Sequence, residues 1–246
     1  MAQYQTDALV LGVKNWGEAD KIVTLLSKEH GKIVATAFGC RRPKSPLAGA
    51  LQMFNEVSVQ LTKGERLDTV RQATLKQANK TMSADFSAMA YGAFVAELAT
   101  NLAVERFPQG DMYDKLLEIF ASFGTRNPRI GALAAAYQLL EYSGMQLSYE
   151  RCIRSNDEIA GDAYFSIEAG GAVSRDMVQA DDRDMLDYPE AMRVFIGQLL
   201  KLSWQDKPSF TVNGKIMMQA EELLLKYLYH IFGKPMKSLK FIQQIG

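Results

Sequence analysis

Three cations and two prolines stand together in Cys40-Arg41-Arg42-Pro43-Lys44-Ser45-Pro46, between two apolar, strand-like stretches. The prolines deny donors to a continuous ladder, so the spacing predicts an exposed loop that presents positive charge to a polyanion such as a nucleic acid backbone. On this feature alone, a merely soluble loop is the alternative. Residues suited to bond-making chemistry are scarce. His30 and His230 are the only histidines and neither has local company for a metal or a proton relay. Cys40 and Cys152 are the only cysteines and fall in different predicted domains, so no disulfide framework is expected and an all-thiolate zinc site is excluded. The run Asp181-Asp182-Arg183-Asp184 is rich in oxygen, but it lacks the glycine and terminal glutamate of a calcium-binding EF-hand loop. No phosphate-binding loop, dinucleotide fingerprint or serine nucleophile elbow occurs. The sequence therefore predicts no catalytic residue, no cofactor and no metal, and a nuclease is the least favoured reading.

Charge is unevenly distributed along a chain that is neutral overall. Residues 1–80 carry 12 Lys/Arg against 7 Asp/Glu, residues 81–204 carry 10 against 18, and residues 205–246 carry 6 against 3. Such a basic, acidic, basic layout separates a polyanion-facing surface from the rest. A composition of 48% hydrophobic and 23% charged residues supports a substantial core without a membrane, and 246 residues suffice for two modest domains. The opening residues lack the cationic flank and apolar run of a secretory signal, so cytoplasmic residence is expected.

The elements that would position these charges follow from periodicity. Apolar or alternating runs at residues 4–13, 20–26, 32–38, 54–61 and 67–73 predict five strands, with residues 39–49 as loop. Their connections are too short for crossover helices, so an antiparallel sheet that closes on itself is expected. An oligonucleotide-binding (OB) barrel and an SH3-like barrel both fit the count. Phe38 and Phe54, in apolar strand patterns, are expected in the core. Trp16, in a polar turn, either plugs a barrel end or faces a partner as a stacking platform. Candidate phosphate contacts are Lys14, Lys21, Lys28, Lys32, Arg41, Arg42, Lys44, Arg66 and Arg71.

Helical spacing dominates after residue 80. It predicts helices from Ser83 to about Arg106, from Asp111 to Gly124, from Pro128 toward Gly144, over 189–202 and over 213–232. Residues 145–188 break the rhythm with turns and a short strand-like piece at 163–167. The last long helix has an apolar face with Lys215 and Lys226 on its polar side, which suits an acidic, amphipathic peptide, although a core helix is the plainer reading.

Gly17-Glu18-Ala19-Asp20-Lys21-Ile22-Val23-Thr24-Leu25-Leu26, His30-Gly31-Lys32, Gly39-Cys40-Arg41-Arg42-Pro43-Lys44-Ser45 and Leu47-Ala48-Gly49-Ala50-Leu51-Gln52 together resemble the RecO family of bacterial recombination mediators. Leu67-Asp68-Thr69-Val70 and the Glu97-Leu98 region continue the likeness, which is specific over residues 4–80 and collinear beyond. The resemblance implies an α+β chain with an N-terminal five-stranded OB barrel at 1–80. A RecO-type α-helical domain is implied at 81–246, with a degenerate zinc-module region at about 145–188. It also implies a noncatalytic, nucleoid-associated protein that binds single- and double-stranded DNA and anneals complementary strands. Such a protein works with RecR and single-strand binding protein to help load RecA.

Where many family members have two Cys-x-x-Cys pairs around a Gly-Gly turn, this chain has Cys152, Ser155, Ser174 and Met177 around Gly170-Gly171. Tetrahedral zinc is not expected from that set. The resemblance implies that the helical domain binds the acidic tail of single-strand binding protein, and local charge, not a family motif, makes Arg193, Lys215 and Lys226 the candidate peptide contacts. An adaptor that docks RecR through the basic barrel, without major DNA contact, is the alternative.

Overall fold

The computed structural model describes residues 2–206, 211 and 213–244. Contacts divide the chain into two compact units, one running through Pro128 and taking in the residues from Lys240 onward, the other spanning Arg129–Leu239.

The first unit is built on β1 (Gln3–Trp16), β2 (Asp20–Ser27), β3 (Gly31–Ala37), β4 (Glu56–Thr62) and β5 (Asp68–Gln77). They form a closed barrel in the order β1-β2-β3-β5-β4. All pairings are antiparallel except β3 with β5, where Ala35 and Thr36 pair in parallel with Asp68 and Thr69 and complete the closure. Alternation does the work inside: Ala8, Val10, Val23, Leu25, Ile33, Ala35, Val57, Val59 and Leu61 point inward and are fully or almost fully buried.

The stretch expected to be loop contains a short helix, α1 (Pro46–Ala50). Ser45 caps it by accepting the Leu47 N–H at 3.3 Å, and Pro46 occupies its first turn, where its missing N–H costs nothing. Leu47, Ala50 and Leu51 add to the barrel core.

After α2 (Lys80–Ala84), the first long helix is α3 (Phe86–Leu102). Its cap is Asp85, which accepts from Ser87 and Ala88 N–H at 2.8 and 3.1 Å. The expected start at Ser83 falls inside α2, and its side chain lies outside the described residues. Helix α4 (Gly110–Ser122) packs its Phe120 edge-on against Phe54 with ring centroids 5.2 Å apart. Gly31 explains the tight join between β3 and the segment that follows α3. It sits at φ +62°, and a Cβ there would lie 1.9 Å from the Phe107 carbonyl oxygen.

The second unit is organised around α5 (Pro128–Tyr142), whose residues 131–140 are all buried. A helix apolar on every side must be central, and α6 (Glu190–Leu200) and α7 (Gly214–Phe232) supply partners. Polar links fix the arrangement. Gln138 donates to the Leu199 and Leu202 carbonyls at 3.0 Å each and accepts the Trp204 indole N–H at 2.8 Å. Tyr137 donates to the Ala220 carbonyl at 3.0 Å, and Arg129 forms a two-pronged ion pair with Glu221. A small antiparallel sheet of β6 (Ala163–Ser166), β7 (Gly171–Val173) and β8 (Met185–Tyr188) runs in the order β7-β6-β8. The short α8 (Leu239–Ile242) comes last in the chain, and its residues from Lys240 onward belong to the first unit. Among the described residues, no helix is long and apolar enough to cross a membrane.

Candidate nucleic-acid interface

One end of the barrel gathers much of the expected cationic set. The β1–β2 hairpin carries Lys14, Trp16 and Lys21 out to its tip, where Trp16 pairs with Asp20 and Asn15 with Lys21. Lys21 also pairs with Ala37, which brings the hairpin beside the end of β3 and the loop that follows. That loop is tied down by its backbone. Asp20 accepts the Gly39 N–H at 2.7 Å, the Arg41 N–H donates to the Ala19 carbonyl at 2.8 Å, and the Arg41 guanidinium donates to the Gly17 carbonyl at 3.1 Å. Arg41, Arg42, Pro43 and Lys44 are exposed on it, as is Lys14, while Lys21 is half-buried.

Two aromatic rings flank these charges in water: Trp16 is 54% exposed and Phe38 61%. Phe38 was expected in the core, and its position corrects that expectation. Along β3 the inward set is Ile33, Ala35 and Ala37, so Phe38 has the opposite parity and follows the last strand residue. Parity was the available signal. Phe54 is buried as expected, although against α4 and not within the barrel cluster. Cys40 is fully buried, and that burial pushes its thiol up despite the opposing charge of Lys21. It is packing, with no chemistry to offer.

The remaining candidates lie elsewhere. Lys28, in the β2–β3 turn at the other end of β2, pairs with Asp114 at 2.7 Å. Lys32 is mostly buried, donating to the Thr100 carbonyl at 3.2 Å beside Glu105. Arg66 is exposed in the β4–β5 connection. Arg71 donates to the Thr62 hydroxyl at 2.9 Å from β5, two residues past the Thr36–Thr69 pair and thus on the side where β3 runs out to Phe38.

In the second unit, an open groove of about 850 Å³ is lined by Ile167, Met185, Leu186, Lys226, Tyr229 and Met236, among others. Lys226, paired with Glu222 at 2.8 Å, stands on its wall. Lys215 is exposed in the first turn of α7, eleven residues away along the helix and roughly 16 Å at 1.5 Å per residue. Arg193 is committed to the Gly161 carbonyl at 2.7 Å and is not part of the lining. The groove therefore brings in only Lys226 of the three expected peptide contacts.

The positions that match the zinc module do come together. Cys152 heads a turn in which its carbonyl accepts the Asn156 N–H at 2.8 Å, with Asn156 at φ 63°. Ser174 and Met177 form a second turn, closed by Met177 N–H to the Ser174 carbonyl at 2.9 Å. The Ser174 N–H donates to the Cys152 Sγ at 3.4 Å across the gap between them. Burial raises the Cys152 thiol, but the backbone N–H groups of Ser155, Ser174 and Arg154 and the Ser174 hydroxyl outweigh it and bring it down to about 6. Zinc does not fit this donor set: one thiolate stands with two neutral hydroxyls and a thioether, where four thiolate or imidazole donors are needed. Among the described residues, no group of three or more His, Cys, Asp or Glu is placed to hold a metal ion.

Comparison with known proteins accounts for nearly the whole chain. The family model for the recombination protein O N terminal region matches residues 1–79, and that for its C terminal region matches residues 83–240. Similar relatives include the DNA repair protein RecO of Pelotomaculum thermopropionicum, 28% identical over all of this chain and 96% of its own length. That of Symbiobacterium thermophilum is 29% identical over all of this chain and 98% of its own length. That of Desulfitobacterium hafniense is 30% identical over 71% of this chain and 64% of its own length. With a closed five-stranded barrel followed by helices, and family models covering both parts, the chain belongs to the RecO family of noncatalytic recombination mediators in DNA repair.

Proposed function

We propose that the chain binds single- and double-stranded DNA through the barrel end that carries Lys14, Lys21, Arg41, Arg42 and Lys44, and that it anneals complementary strands there. The observation that carries this reading is the exposure of Trp16 and Phe38 beside those cations. Cations neutralise phosphates without reading sequence, and exposed rings stack on any unpaired base, which is what strand annealing requires. Arg71 extends the same face. Lys28 and Lys32, held by Asp114 and by the Thr100 carbonyl, serve as structural cations.

In this reading the functional modules follow the division at residue 80. The barrel module of residues 1–80 handles DNA, and the 81–246 module recruits partners. The groove beside Lys226 suits the apolar, acidic C-terminal tail of single-strand binding protein, since its wall offers apolar side chains and a cation. Joint action with RecR then helps to load RecA, at the nucleoid in the cytoplasm.

Arg41, Arg42 and Lys44 changed together to alanine test the DNA site. Binding to unrelated duplexes is expected to weaken uniformly, and the dependence of log affinity on log salt is expected to lose about three units of slope. An unchanged slope in the folded variant sinks the proposal for this loop. If DNA binding persists and RecR binding collapses, the loop is a RecR dock. Annealing of strands coated with intact or tail-truncated single-strand binding protein tests recruitment: equal rates on the two would remove the groove from the mechanism.

A further inference from the structure

Hydrogen bonds link the turn that holds Cys152 and Ser155 to the segment that holds Ser174 and Met177. Arg154 lies inside the first turn, between Cys152 and Ser155, and its guanidinium reaches across to the second. It donates to the Met177 carbonyl at 2.5 Å and to the Asp182 Oδ2 at 2.8 Å, with a further bond to the other carboxylate oxygen. Asp182 also accepts the Gln179 N–H at 2.7 Å, so the carboxylate is fixed from its own segment. Beside this fork, the Cys152 Sγ receives the Ser174 N–H, and the Ile153 N–H donates to the Ala172 carbonyl at 2.9 Å.

We propose that the Arg154–Asp182 fork, with the Cys152–Ser174 contact beside it, is a metal-independent clasp that does for this module what a zinc ion does between paired Cys-x-x-Cys turns. Zinc ties two turns by bonding donors from each, and the guanidinium does so by donating from the first turn to a carbonyl and a carboxylate of the second segment. A planar fork suits this role because its donors have fixed directions that match a carboxylate and leave one for the carbonyl. Ordinary surface ion pairs contribute little because two mobile side chains must be ordered. Here both partners are already held, Asp182 by Gln179 and Arg154 by its place in a turn that Asn156 and Asp157 close. The consequence is a module indifferent to chelators and dependent on one side-chain pair.

Hydrogen exchange on the full-length chain, with metal content measured in parallel, tests the clasp. Wild-type protein is expected to hold no stoichiometric zinc and to show unchanged exchange in EDTA. Arg154→Gln and Asp182→Ala are each expected to speed exchange several-fold at the amides of residues 174 and 179, with barrel amides unaffected. A variant carrying Ser155→Cys, Ser174→Cys and Met177→Cys is expected to bind one zinc and to cancel the effect of Arg154→Gln at residue 174. One zinc per wild-type chain overturns the proposal. Wild-type exchange at both amides in both single variants does so as well.

Discussion

An indole and a phenyl ring held largely in water on one barrel end must be counted against solubility unless a partner covers them. Trp16 and Phe38 are such rings. Alanine at either is expected to weaken binding to single strands by about 1–3 kcal/mol for each base that loses its platform, with duplex affinity far less affected. Titration with oligonucleotides of each kind measures the difference, and an equal loss on both would mean that the rings do not stack. Tryptophan emission gives an independent reading, because Trp204 is buried and bonded to Gln138 while Trp16 is open. Quenching by a single strand should vanish in Trp16→Phe. The two cysteines carry no such role: Cys40 is core, and Cys152 keeps a low thiol set by backbone donors.

At the scale of elements, single positions hold whole segments in place. Gly31 is one. Alanine there must adopt a left-handed conformation and press a methyl into the Phe107 carbonyl, so Gly31→Ala is expected to cost about 3 kcal/mol or more, read from denaturant unfolding. Gln138 is another, since its amide serves the C-terminal end of α6, the Leu202 carbonyl just past it and the Trp204 indole at once. Leucine of similar size would fill its volume and strand those groups, for an expected loss of about 3 kcal/mol. Most elements were legible beforehand because their periods are clean. The five strands fall where alternation put them, and α7 begins at the Asn213 cap and ends at Gly233 as expected. α1 was not foreseen, because a five-residue helix offers too short a window for periodicity. Its start signal, Ser45 followed by Pro46, was present all the same.

For the whole molecule, net charge is zero and cannot steer it toward DNA, so attraction must come from a local patch. If the five cations of the barrel end each neutralise one phosphate, log duplex affinity is expected to fall against log salt with a slope of about −4.5. A slope near zero would mean that the patch touches no phosphate.

The sequence alone determined the five strands of the barrel, the order of the five long helices and the basic character of residues 1–80, all consequences of local pattern or residue type. Only the tertiary structure decided which cations share a surface and which pair with Asp114 or the Thr100 carbonyl. It also showed that Phe38 faces water, that Arg193 is committed to Gly161, and that Arg154 reaches Asp182. Each of these depends on contacts between residues far apart in the chain, and such contacts leave no trace in spacing or composition.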